Sequence, residues 1–209
     1  MELKNFSLSI KNKTLFKNVN VVFEVGKINH ILGKNGTGKT CLVKSIIGAM
    51  PYDGKIEYNT SNVCAIGSYT NLPLDLKAKD VIEIVKHKFK PHVIEALIDK
   101  LNIKDIPIEN KIKNLSDGQK QKLKLLFFLS PNPQLVVLDE FTNALDKKSC
   151  LDIYSFLNSH VAENKTTIIN ITHNLTDIEY LKGNYYLIEE KSIISDLTKE
   201  AVINAYIKG

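Results

Sequence analysis

The sequence predicts an α/β fold: a mostly parallel sheet, an N-terminal antiparallel β part and a short helical subdomain set into the chain. Three observations predict it. In the second half, short apolar runs alternate with amphipathic stretches, the rhythm of strand–helix–strand units around a parallel sheet. The first thirty residues read instead as consecutive short strands. Between these parts, Leu74–Ser130 carries helical periodicity almost throughout.

In order, Leu3–Ile10 alternates polar and apolar residues, and Leu15–Glu24 is rich in Val and Phe before Val25-Gly26 supplies a turn. Lys27–Gly33 is a brief apolar strand ending in glycine. Lys39 to Met50 reads as a helix with Leu42, Val43, Ile46 and Ile47 on one face, stopped by Pro51. Gly54–Tyr58 and Ser61–Tyr69 then read as a hairpin-like pair. Helices are expected at Asp80–Lys88, His92–Leu101 and Gln119–Leu129. The alternating part comes next: strand Leu135–Leu138, helix Lys147–Val161, strand Thr166–Thr172, a short helix Leu175–Leu181, strand Tyr185–Glu189 and a terminal helix Thr198–Ile207. The expected division is a single domain over 1–209, with 1–73 and 131–209 as core and 74–130 as helical subdomain.

At 209 residues the chain suits one compact domain or one and a half, domains running to about 150 residues each. With 44% hydrophobic and 24% charged residues it is neither disordered nor collagenous. Its longest apolar runs, Leu125–Leu129 and Leu135–Leu138, fall far short of the roughly 18 residues that span a bilayer. The N-terminal stretch lacks the apolar centre of a signal peptide, and Cys41, Cys64 and Cys150 form no CxxC pair. Both features lead us to expect a reducing, cytoplasmic location. The net charge of +5 invites a nucleic-acid reading. However, all 28 basic side chains are lysines spread along the chain, and no direct nucleic-acid partner is expected. Without arginine, any phosphate chemistry rests on lysine, metal and backbone N–H groups.

Gly33-Lys34-Asn35-Gly36-Thr37-Gly38-Lys39-Thr40 fits G-x-x-x-x-G-K-[ST] and lies between an apolar strand and a helix, the context this motif requires. Its glycines let successive N–H groups converge on phosphate oxygens, and the helix adds its positive end. Lys39 would reach the β- and γ-phosphates and the Thr40 hydroxyl would hold Mg²⁺, which makes the sheet a P-loop NTPase core. A century of residues later, Leu135–Leu138 ends in Asp139-Glu140. Two carboxylates at the end of a buried strand need a cation or a partner to offset desolvation. Asp139 suits Mg²⁺, and Glu140 is left to polarise an attacking water. Leu115-Ser116-Asp117-Gly118-Gln119 opens an amphipathic helix, where Ser116 or Asp117 is a good N-cap and the helix end is also a second anion site. One nucleotide needs one cradle; a second suggests sharing between two chains.

Together with Asn143-Ala144-Leu145-Asp146 and His173, this ordered set resembles the nucleotide-binding subunit of an ATP-binding cassette (ABC) transporter, along essentially the whole chain. The resemblance implies ATP and Mg²⁺ as cofactors. It also implies a head-to-tail dimer, of two copies or with a related ABC ATPase, in which Ser116, Gly118, Gln119 and Asp146 act on the partner's nucleotide. His173 matches the histidine that contacts the γ-phosphate, joining Lys39 and Glu140 as catalytic residues. Gly33, Asn35, Gly36, Thr37, Gly38, Lys39, Thr40 and Cys41 would bind nucleotide, and Ile10 falls where an aromatic residue usually stacks on adenine. Asn71 falls at the position of a Mg²⁺-contacting glutamine, one methylene shorter, so the implied metal set is Thr40, Asp139 and Asn71. Asp117 replaces a common glycine, and Phe141 a common proline.

The resemblance thus implies an ATPase peripheral to the inner face of the cell membrane. It would power a separate integral membrane permease docked near Asn71–Val81 and the helical block, and the likeness to stand-alone exporter subunits points to peptides or other small cargo. Two other readings stand beside it: an ABC ATPase acting on nucleic acid or ribosomes, and a nucleotide-sensing module with weak turnover.

Overall fold

The computed structural model describes residues 1–58, 60 and 62–208. Two sheets make the frame. The smaller is antiparallel, order β2-β1-β4, from β1 (Glu2–Ile10), β2 (Lys13–Val22) and β4 (Asp53–Glu57). The larger has the order β5-β6-β7-β3-β8-β9. In it β3 (Ile28–Leu32), β5 (Val63–Ile66), β6 (Leu135–Asp139), β7 (Thr167–Thr172) and β8 (Gly183–Glu189) run parallel, and β9 (Ser192–Leu197) runs antiparallel to β8 at the edge.

The parallel strands β3, β6 and β7 are buried on both faces, which is why they read as unbroken apolar runs. Alternate residues serve two cores. Val137 and Leu135 face α1 (Lys39–Ile46), whose Leu42, Val43 and Ile46 also meet Leu3, Phe6 and Phe16 of the antiparallel sheet. Val136 and Leu138 face the opposite core, shared with α2 (Ala78–Lys88), α3 (Pro91–Lys100), α4 (Asp117–Leu129) and α5 (Lys147–Asn164). The short α6 (Leu175–Tyr180) and the terminal α7 (Lys199–Lys208) pack against the far side of β8 through Ile178, Leu187 and Val202.

Three expectations are corrected in detail. The pair expected as a hairpin is split: β4 joins β1 in the antiparallel sheet, and β5 pairs with β6 in the parallel one. The expected start of the second strand, Ser61, lies outside the described residues; β5 begins at Val63. Helix α1 ends at Ile46, short of Met50: Gly48, at φ 74°, takes the left-handed position. The Gly48 and Ala49 N–H groups then donate to Ser45 and Lys44 carbonyls, which closes the helix before Pro51 can. Strand β9 has no counterpart among the expected elements, because its hairpin turns on Glu190 and Lys191, both at positive φ (46° and 65°), and neither residue signals a turn.

Candidate nucleotide-binding site

The segment between β3 and α1 is shaped by its glycines. Gly36 and Gly38 have φ of 80° and 102°, a region costly to side-chain-bearing residues. A Cβ on Gly38 would also stand 2.9 Å from the Phe16 ring. Gly38 is the N-cap of α1 and has no side chain to satisfy the helix's first N–H groups, so these are left for a ligand. Lys39 is buried, its ammonium donating to the Gly33 carbonyl at 2.8 Å and the Lys34 carbonyl at 3.1 Å. An open cavity of about 400 Å³ lies over this loop, lined by Ile10, Lys13, Leu15, Asn35, Gly36, Gly38, Lys39, Thr40, Cys41 and Glu140. Its apolar end is Ile10 and Leu15, its polar end the loop itself.

Glu140 reaches the polar end from the tip of β6. One carboxylate oxygen stands 3.5 Å from Lys39 Nζ and 3.0 Å from His173 Nδ1, and the other accepts from Asn143 Nδ2 at 2.9 Å. Bonding a carboxylate through Nδ1 requires the proton there, which fixes the ring and leaves Nε2 as its other polar atom. Glu140 itself sits at φ 50°, anchored by its N–H on the Ile171 carbonyl. A glutamate held in the left-handed region costs on the order of 1 kcal/mol and persists where surrounding contacts impose it.

Asp139 is buried, and its Oδ1 has no hydrogen-bond partner among the described residues. Burial pushes its carboxyl above the ordinary 3.8, opposed by the Thr40 hydroxyl beside it. An orphaned carboxylate oxygen next to a hydroxyl is a donor set suited to a hard divalent cation, so Thr40 and Asp139 fit Mg²⁺. Asn71 lies elsewhere: exposed, its amide donates to the Ser68 carbonyl and lines a separate cleft of about 150 Å³ with Leu72, Asp117, Gln121 and Lys124. It is Tyr69 that comes close to Asp139, its ring against Gly67, and burial together with the Asp139 charge pushes its hydroxyl pKa upward.

The remaining candidates do not line this cavity. Ser116 caps α4: its hydroxyl accepts from Gln119 N at 3.2 Å while Gln119 Oε1 accepts from Ser116 N at 3.0 Å, a reciprocal capping box. Asp117 turns to Lys120 at 3.3 Å. Gly118 is buried against Ser149. Asp146 caps α5 by accepting from Ser149 N at 2.9 Å. Lys13, Leu15 and Tyr69 are not singled out as site residues by the sequence, and Asn143, three residues after Glu140, enters there only as the first residue of the Asn143–Asp146 motif, with no role of its own.

Comparison with known proteins shows the family to which the chain belongs. The family model described as "ABC transporter" matches residues 16–143. The chain is 40% identical over 209 residues to the "Probable peptide export ATP-binding protein YydI" of Bacillus subtilis, covering 99% of each. It is 28% identical to the "Lantibiotic transport ATP-binding protein SrtF" of Streptococcus pyogenes, covering 93% of this chain and 89% of that one. Among solved structures, a dimeric ATP-binding cassette in a post-hydrolysis state with ADP and Pi superposes with a TM-score of 0.76 at 18% identity, covering 94% of this chain and 99% of that one, a likeness of fold. The chain belongs to the ABC transporter family, as an ATP-binding subunit with the family's ATPase fold and activity.

Proposed function

We propose that this subunit hydrolyses ATP in a dimer sandwiched head to tail, each copy gripping the triphosphate in its Gly33–Thr40 loop and offering Ser116, Gly118, Gln119 and Asp146 to its partner's. The observation that carries the reading is Glu140, whose carboxylate is held by Lys39, His173 and Asn143 at the polar end of the cavity. Lys39 and the free N–H groups of α1 offset phosphate charge, and Glu140 orients a water whose oxygen attacks the γ-phosphorus in line. The bond to the β-phosphate oxygen breaks, leaving ADP and inorganic phosphate. His173 is placed to contact the γ-phosphate. Thr40 and Asp139 would hold Mg²⁺, which neutralises charge between the β- and γ-phosphates when bound. Asn71 would join them only if its loop moved.

The separation of Ser116 and Asp146 from the Lys39 cavity supports a role in trans, since neither residue lines that cavity within one chain. Among the described residues no helix is long and apolar enough to cross a membrane. We therefore take the transport path to belong to a separate permease, with this subunit on the cytoplasmic face and docked by the Asn71–Val81 segment and the helical block, 74–130. The similarity to YydI over nearly the full length of both chains supports a peptide as cargo.

Glu140→Gln tests the reading. Turnover should fall about 100- to 10,000-fold, the range of a lost general base, while ATP binding persists and light scattering shows a dimer that forms only with ATP and Mg²⁺. Hydrolysis at the wild-type rate, or a chain that stays monomeric under those conditions, would refute it.

A further inference from the structure

Behind the nucleotide site runs a string of five buried polar side chains to which the proposed hydrolysis gives no task. Its centre is Asp177 on α6, almost wholly buried. Asp177 Oδ1 accepts from the Thr142 hydroxyl at 2.7 Å and from the Tyr154 hydroxyl at 2.6 Å. Asp177 Oδ2 accepts from Asn170 Nδ2 at 3.5 Å, and the same amide nitrogen lies 3.2 Å from His30 Nδ1. His30 Nε2 in turn lies 3.1 Å from the Leu181 carbonyl.

The directions of these bonds follow from the groups. A carbonyl oxygen only accepts, so His30 Nε2 carries the hydrogen and Nδ1 presents a lone pair. The two Asn170 amide hydrogens then go one to His30 and one to Asp177. The ring is neutral, since burial holds its pKa down to about 4. Every member therefore has one orientation, and the carboxylate is satisfied by neutral donors, with no cation among its hydrogen-bond partners in the described residues.

A buried network of this kind is a demanding way to fill a core, because any member lost leaves others unpaired in a low dielectric. What it provides is position, and the positions it fixes are those of the site. Thr142 is two residues after Glu140, Asn170 three before His173, and Asp177 four after His173. His30 stands beside Asn170 in the β3–β7 register and three residues before Gly33. Tyr154 is on α5, the helix that Asp146 caps.

We propose that Asp177 is a positioning residue for hydrolysis: by gripping Thr142 and Asn170 it sets the spacing of Glu140 and His173, and through Tyr154 it couples that spacing to Asp146 at the tip of α5. A shift of the Asp146 tip on dimer closure would thus be felt at the water-orienting pair of the same chain. The inference rests on the proposed hydrolytic roles of Glu140 and His173.

The test measures melting temperature, ATP affinity and single-turnover hydrolysis for Asp177→Asn, Tyr154→Phe, Glu140→Gln and the double variant Asp177→Asn/Glu140→Gln. With ATP affinity within about 3-fold of wild type, hydrolysis should fall roughly 10- to 100-fold in Asp177→Asn and roughly 3- to 10-fold in Tyr154→Phe, as expected for losing a charged and a single hydroxyl hydrogen bond. The double variant should be little slower than Glu140→Gln alone, because a residue acting through Glu140 has nothing left to position. Tyr154→Phe keeps the ring and removes one oxygen, so it carries the test should Asp177→Asn fold poorly. Wild-type rates in Tyr154→Phe and Asp177→Asn, or fully additive losses in the double variant, would overturn the inference. A Glu140→Gln protein with full turnover would instead overturn the hydrolytic reading beneath it.

Discussion

Gly118 at the start of α4 lies so close to Ser149 at the start of α5 that a Cβ built on Gly118 would stand 2.8 Å from Ser149 Cβ and nearer still to its hydroxyl. The same hydroxyl donates to Asp146 Oδ2 at 2.8 Å. Two segments expected to touch a partner's nucleotide are thus locked to each other within one chain, through a contact only glycine permits.

Gly118→Ala should accordingly destabilise the fold by about 1–3 kcal/mol, the usual range for overpacking. Adding Ser149→Gly should recover part of that loss, since it removes the atoms in the way, although glycine in a helix costs about 1 kcal/mol itself. The check is denaturant unfolding of both single variants and the pair; strictly additive losses would mean that the two residues do not press on each other.

At Ser116 the capping role and the proposed role in trans can be separated. Ser116→Ala should lower stability by about 1 kcal/mol through loss of the cap, whereas Ser116→Asp, an equally good cap, should keep it. If Ser116 also meets the partner's γ-phosphate, both variants lose turnover, the aspartate more severely because it brings a negative charge to a phosphate. Full ATPase activity in Ser116→Asp would leave Ser116 as a cap alone.

Acid should unfold the protein through two histidines. Burial holds His30 and His160 down to about 4, with the Lys100 charge adding to the effect at His160. An unfolded imidazole titrates near 6.5, so between those values the unfolded chain binds more protons than the folded one. Stability is therefore complete above about 6.5 and falls as the pH drops toward 4, by up to about 3 kcal/mol for each ring. His160 lies outside the Asp177 network, and His160→Gln should flatten the dependence of the melting temperature on pH between about 7 and 4.5. An unchanged slope would place the acid sensitivity elsewhere.

Much of the cradle is legible in the sequence because its chemistry is local. Gly36 and Gly38 supply positive φ, Lys39 follows them into the helix, and Asp139 ends an apolar run; each signal lies within a single short segment. The same holds for Ser116 as a cap. What is illegible depends on distance along the chain. Gly54–Tyr58 and Ser61–Tyr69 look like hairpin partners in one dimension, yet β5 pairs with β6, far along the chain beyond the helical block. His30 in an apolar strand and Asp177 in a polar helix give no sign of sharing a network, because each matches the local pattern of an unrelated element. Asn71 matches by position in a motif, and its side chain lies in another cleft.

The sequence by itself determined most of the segments that become strands and helices, β9 excepted, which loop can wrap a phosphate, and which residues carry the reactive groups. Apolar periodicity, glycine dihedrals and capping hydroxyls act over a turn or a strand and need no distant partner. Only the tertiary structure decided that His173 meets the Glu140 carboxylate beside Lys39, and that Asp177 holds their loops from behind. Those meetings join segments far apart along the chain. They are set by the order in which buried strands pack into the sheet, and no local pattern encodes that order.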